Sequence, residues 1–150
     1  MASFIKGRVK QACFNLYVCD PFEMNTPLHL AAEEGHIEMC RLIIGSVDDK
    51  NPTNTFGKTP MHLAPARGHI EICRFIMDNV TSKNPADIDG ETPLHQASTK
   101  GHADFCRLIL DSIDDKNPAD HRGKTPLDMA EKYGRADICE LIRNSMMMEL

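Results

Sequence analysis

The segment T-P-L-H-L-A-A-E-E-G-H-I-E-M-C-R-L-I-I, beginning at Thr26, returns with substitutions at Thr59, Thr92 and Thr125, a period of 33 residues held three times running. A chain built on such a period is an array of supersecondary units. Each unit is too small to bury its own apolar face and completes its core by stacking on a neighbour. Function in an array belongs to a surface shared between repeats rather than to a single pocket.

Aligning the four copies separates what makes the unit from what varies. Each opens with Thr-Pro (Thr26-Pro27, Thr59-Pro60, Thr92-Pro93, Thr125-Pro126). The hydroxyl can N-cap a helix, and the proline ring has the φ and the missing N–H that suit the first helical position. Leu28, Ala31, Met61, Ala64, Leu94, Ala97, Leu127 and Ala130 follow at i, i+3 spacing, which predicts a short helix with a thin face of small apolar residues. Gly35, Gly68, Gly101 and Gly134 then supply the positive φ that ends a helix cheaply. The second predicted helix is greasier, with Ile37, Met39, Cys40, Leu42, Ile43 and Ile44 in one copy and Ile70, Ile72, Cys73, Phe75, Ile76 and Met77 in the next. Acids lead it (Glu38, Glu71, Asp104, Asp137) and arginines follow one turn later (Arg41, Arg74, Arg107), an order that suits the helix dipole and i, i+3 pairing. The polar runs D-D-K-N-P (Asp48 to Pro52, Asp114 to Pro118) and S-K-N-P (Ser82 to Pro85), each followed by a glycine (Gly57, Gly90, Gly123), predict an extended finger with a β-turn at its tip.

The pattern D-x-x-G-x-T-P-L-H-x-A, with G-H at the inter-helix turn and a period of 33, resembles the ankyrin repeat over residues 26 to about 146. The resemblance implies an all-α repeat fold, an ankyrin-type α-solenoid of helix-turn-helix units with projecting β-turn fingers. It also implies non-catalytic protein binding through the concave face formed by finger tips and inner helices. The repeats are assigned to 26–58, 59–91, 92–124 and 125–145. Residues 1–25 are a degenerate capping segment, in which Ile5, Val9, Ala12 and Leu16 have helical spacing, or the edge of a larger array. Residues 146–150 are a frayed tail or a docking peptide.

At 150 residues there is room for one domain and no linker, and no apolar run reaches the roughly 20 residues of a membrane span. Residues 4–19 faintly resemble a signal peptide, but Asn15 interrupts them and no small-x-small site follows. The expectation is an intracellular, cytoplasmic setting, a monomer, and no membrane partner; the net charge of −5 argues against nucleic acid.

Four of the six cysteines (Cys40, Cys73, Cys106, Cys139) share one position of the second helix. Adjacent helices lie about 8–10 Å apart, beyond the roughly 7 Å Cα separation a disulfide tolerates, so these read as reduced core thiols. Cys13 and Cys19 lie outside that ladder and stand as free cysteines, a disulfide or a reactive thiol. The alternative for His36/Cys40, His69/Cys73 and His102/Cys106 is metal binding, but a ladder spreads ligands that zinc needs converging at about 2 Å. No cofactor is expected. Of the seven histidines, His29, His62 and His95 occupy the T-P-L-H slot, where the resemblance implies hydrogen bonds within and between turns. No Walker, G-x-S-x-G, H-E-x-x-H or G-x-G-x-x-G pattern is present, which argues against an enzyme.

In the last copy Asp128, Glu131, Glu140 and Arg143 replace less polar or differently charged residues, as a terminal cap would. Two departures from the family remain. Val47, Val80 and Ile113 stand where a glycine usually closes the second helix, so that end must close differently, for instance by continuing for part of a turn. Pro65 lies inside the first helix of the second copy, where it is either tolerated in a short helix or reshapes the groove.

By resemblance, binding falls on the finger tips and the exposed ends of the first helices. These are Phe22, Glu23, Asn25, Glu33 and Glu34; Thr55, Phe56, Lys58, Ala66 and Arg67; Ile88, Asp89, Glu91, Thr99 and Lys100; and His121, Arg122, Lys124, Lys132 and Tyr133. In that order they run from acidic to basic, with apolar anchors at Phe22, Phe56, Ile88 and Tyr133. The expected role is an adaptor or inhibitor; the alternative is a recruiting or spacer segment of a larger scaffold, with a metal or enzymatic protein behind both.

Overall fold

The computed structural model describes residues 22–148, without the side chain of Ala66. The cap expected before Thr26 therefore lies outside the described residues as far as residue 21, as do Cys13 and Cys19. Among the described residues every regular element is helical and there is no strand. They form two compact units divided between Val80 and Thr81.

The first unit contains α1 (Pro27–Glu34), α2 (Ile37–Ile44), α3 (Pro60–Leu63), a 3-10 helix (Ala64–Arg67) and α4 (Ile70–Asn79). Thr26 starts α1 through a capping box in which histidine takes the place usually held by Glu or Gln. The hydroxyl accepts the His29 N–H, and His29 Nδ1 accepts the Thr26 N–H at 3.1 Å. Gly35, at φ +83°, ends the helix. Its conformation is doubly required, because a Cβ there would lie 2.6 Å from His69 Cε1. Leu28, Ala31, Cys40, Ile43, Met61, Ile72 and Ile76 are buried together. Each Leu- or Ile-sized side chain so placed contributes about 1.5–3 kcal/mol.

Pro65 is accommodated by a change of helix type. After one α-turn the chain tightens into the 3-10 helix, where Pro65 falls in the first turn and its missing N–H is not needed. Gly68 closes it at φ +74°, donating to the Ala64 and Pro65 carbonyls.

The second unit contains α5 (Pro93–Lys100), α6 (Ala103–Leu110), α7 (Pro126–Lys132) and α8 (Ala136–Met147). Leu94, Ala97, Phe105, Cys106, Ile109, Ala130, Ile138 and Ile142 make its core. Helix α8 runs through Met147, past the Ser145 at which the repeat was expected to end, because neither Gly nor Pro stops it. The four ladder cysteines are unpaired and buried. Burial pushes the Cys40 thiol up to about 11 and the Cys106 thiol up to about 12, and raises Cys73 further. Thiols held so far from ionisation are poor nucleophiles.

The K-N-P runs explain how the second helices end without a left-handed glycine; even Gly45, after α2, has an ordinary helical φ of −70°. Lys50 Nζ donates to the carbonyls of Ile44 (2.7 Å) and Val47 (3.1 Å), and Lys116 Nζ to those of Leu110 (2.7 Å) and Ile113 (2.5 Å). An ammonium on the last carbonyls satisfies orphan acceptors and complements the negative end of the dipole. Ser46 and Ser112 hydroxyls bond one turn back, to Leu42 and Leu108. The asparagine that follows serves the next helix: Asn84 Oδ1 accepts the Leu94 N–H and Asn117 Oδ1 the Leu127 N–H. Continuation of the helix is seen in α4, which is two residues longer than α2 or α6 and ends at an extended Val80.

Candidate functional site

The three finger tips that lead into α3, α5 and α7 are each built on one buried side chain. Asn54 Oδ1 accepts the N–H groups of Phe56 and Lys58, while the Gly57 N–H reaches the Asn54 carbonyl. Asp87 does the same for Asp89 and Glu91, and Asp120 for Arg122 and Lys124. Burial alone would raise the Asp120 pKa, but the Lys124 and Arg122 N–H groups outweigh it and hold the carboxyl below the usual carboxylate range. The turns present Thr55-Phe56, Ile88-Asp89 and His121-Arg122 at their apices, all exposed.

Tips are joined within each unit. The Thr55 N–H donates to the Glu23 carbonyl (2.8 Å), and the His121 N–H to the Asp89 carbonyl (2.9 Å). His121 also packs on Gly90, where a Cβ would lie 2.7 Å from His121 Cδ2. Behind the tips the T-P-L-H histidines tie one repeat to the next. Since His29 Nδ1 accepts from Thr26, its proton is on Nε2 and is donated to the Lys58 carbonyl at 2.7 Å; His95 Nε2 reaches the Lys124 carbonyl at 2.9 Å. Burial, opposed in part by the bond to Lys58, lowers the His29 pKa and keeps the ring neutral. In the last repeat Asp128 takes the cap half of this role, its carboxylate accepting the Thr125 N–H at 2.9 Å, and it has no N–H donor with which to reach a further carbonyl.

The helix ends are joined as well. His69 Nε2 donates to the Glu33 carbonyl (3.1 Å). Arg135, in the slot that histidine fills in the other copies, donates to the Thr99 carbonyl (3.3 Å) and lies across Gly101. This substitution was passed over in the sequence, although its phase marks it.

Exposure sorts the twenty expected residues. Phe22 (83%), Phe56 (41%), Ile88 (56%) and Tyr133 (47%) are exposed apolar side chains. Glu34, Thr55, Arg67, Asp89, Lys100, His121, Arg122, Lys124 and Lys132 are exposed; Glu23, Glu33, Lys58, Glu91 and Thr99 are half-buried. The side chain of Ala66 lies outside the described residues. Asn25 departs from the expectation, being only 5% exposed. Its amide accepts from Asn54 Nδ2 and donates to the Glu23 carboxylate, each at 2.9 Å, so it is a joint between fingers rather than a contact surface. Conversely, Met24 was missed. It occupies the phase of Gly57, Gly90 and Gly123 with φ +53° and is 60% exposed beside Phe22.

Among the described residues no group of His, Cys, Asp and Glu converges as a metal ion would require, and no helix is long and apolar enough to cross a membrane. A cavity of about 410 Å3 in the second unit lies among Lys83, Asn84, Ser112, Asp114 and Asp115.

Capping boxes, left-handed glycines, bonded finger tips and histidine clamps thus recur on one period. A family model described as ankyrin repeats (3 copies) matches residues 2–87 and again residues 78–147. The chain belongs to the ankyrin repeat family. A search of the curated proteins gave no match. Ankyrin repeats are in general non-catalytic protein-interaction modules, and in this ankyrin chain His29, His69 and His95 are occupied in clamps and the four ladder thiols in the core.

Proposed function

We propose that this ankyrin chain is an adaptor or inhibitor that captures a protein partner through its finger tips and the ends of its first helices, without catalysis. The observation that carries this is the tip of the first unit. Phe22, Met24 and Phe56 all stand exposed on two fingers bonded to each other through Glu23 and Thr55. Large apolar side chains gathered at a rigid edge mark an interaction site. Met24 adds backbone strain that glycine would remove, and strain of this kind concentrates at functional positions. The buried, unpaired thiols support a reducing intracellular setting. The Glu131–Arg143 ion pair, at 2.6 Å between α7 and α8, gives residues 125–145 a polar outer side.

The test is affinity capture with wild type, Phe56→Ala and Arg122→Glu chains, scored by mass spectrometry. Partners retained by wild type should drop at least about tenfold with Phe56→Ala, the loss expected of a buried aromatic anchor. Equal recovery of every partner by all three chains would remove the site assignment.

A further inference from the structure

The acidic-to-basic order of the tip residues changes once their contacts are known. In the first unit two of the three tip acids are engaged by their neighbours: Glu34 pairs with Arg67 at 3.5 Å, and Glu23 accepts from Asn25. In the second unit the carboxylates on the finger side are also engaged. Asp87 and Asp120 hold finger N–H groups, Glu91 accepts from Gln96, Asp128 caps Thr125 and Glu131 pairs with Arg143. Asp89, exposed at its tip, is the exception, with no bond to its carboxylate among the described residues. Lys100, Arg122, Lys124 and Lys132 are exposed, and none of them takes part in an ion pair among the described residues.

These cations flank apolar contact points. Lys124 immediately precedes the N-cap of α7 and Lys132 ends that helix, about 10 Å further along at 1.5 Å per residue. Tyr133 follows, with Lys132 Nζ 5.3 Å from its ring centroid. Lys100 ends α5, whose Thr99 carbonyl accepts from Arg135. Arg122 shares a bonded pair of tips with Ile88 and Asp89. What the second unit offers a partner is four exposed ammonium or guanidinium groups, one of them over the Tyr133 ring, together with an exposed isoleucine.

We infer that the second unit takes an acidic segment of a partner protein, one that carries carboxylates for Lys100, Arg122, Lys124 and Lys132 and a large apolar side chain for Tyr133 or Ile88. This rests on the protein-binding reading above and adds the chemistry of the partner. Apart from Asp89, the finger-side carboxylates named above are committed to hydrogen bonds or ion pairs, so further carboxylates for these cations come from a partner. Charge complementarity of this kind sets which partner is chosen and how fast it arrives.

The experiment is selection from a random displayed peptide library of about twelve residues on the wild-type chain. The enriched peptides should carry net negative charge and at least one Leu, Phe or Trp. A selected peptide should lose at least about tenfold in affinity against the Lys100→Glu/Arg122→Glu/Lys132→Glu chain, and a comparable factor between low and high salt. Replacing the peptide's own acids by amides should cause the same loss, an arm that does not depend on the variant's folding. Neutral or basic peptides whose binding falls with Phe56→Ala but not with charge reversal would overturn this inference and leave the interaction reading intact. No enrichment at all would overturn both. A single-stranded oligonucleotide that displaced the peptides would assign the cations to nucleic acid and overturn the acidic-peptide inference.

Discussion

Met24 holds a left-handed φ of +53° where the three later fingers place glycines at +73°, +80° and +77°. A side chain with a Cβ costs roughly 1–2 kcal/mol in that region. Met24→Gly should therefore raise stability by about 1 kcal/mol, measured as a higher urea midpoint, while removing an exposed apolar arm and weakening partner capture. A lower midpoint would mean that Met24 supplies packing that outweighs its backbone strain. Its position was readable, since it falls in the phase of the glycines, but a methionine carries no sign of its backbone conformation. The helix-closing lysines were hidden for a related reason. Lys50 and Lys116 act on backbone carbonyls, which have no letter in the sequence, so K-N-P reads as polar loop although it serves two helix termini. Thr-Pro and the left-handed glycines were legible because each acts within one turn of its own position.

At the scale of the element, Pro65 shows how a helix absorbs a local misfit. Proline in an α-helix interior costs about 3 kcal/mol relative to alanine, but the switch to a 3-10 turn has already relieved part of that. Pro65→Ala, which restores the residue type of Ala32 in the first copy, should let α3 continue as a regular α-helix and raise stability by about 1 kcal/mol. Far-ultraviolet circular dichroism and the urea midpoint should rise together. A fall in midpoint would show that the buried proline ring contributes more by packing than its missing N–H removes. The sequence located this irregularity and left its resolution open, because the choice between a kink and a tighter helix is made by neighbouring contacts. The cysteine ladder was legible in full: one helical phase, repeated four times, places every thiol in a core. The charge order was legible only in part. Glu34–Arg67 and Glu131–Arg143 connect residues 33 and 12 positions apart, and such pairings emerge only when helices are packed.

For the whole chain, these local devices couple to pH. Repeats are stabilised by interfaces with their neighbours, so loss of one clamp weakens the array beyond its own repeat. His29 is clamped neutral, with a folded pKa below its ordinary 6.5. The unfolded chain therefore takes up that proton first. The stability from this clamp is fully present above about 6.5 and is lost as pH falls from there through the folded value. Asp128 is held below its ordinary 3.8, first by the Thr125 N–H, so its contribution is present above that value and is lost as pH falls through its folded pKa. Two descending steps follow, one in the histidine range and one in the carboxylate range. Urea midpoints at about pH 7.5, 5.5 and 3 should decrease in that order. His29→Gln should flatten the first step and Asp128→Asn the second. An unchanged wild-type midpoint between about pH 7.5 and 5.5 would mean that the His29 clamp accepts a second proton without loss, contrary to a buried ring donating to Lys58 while accepting from Thr26.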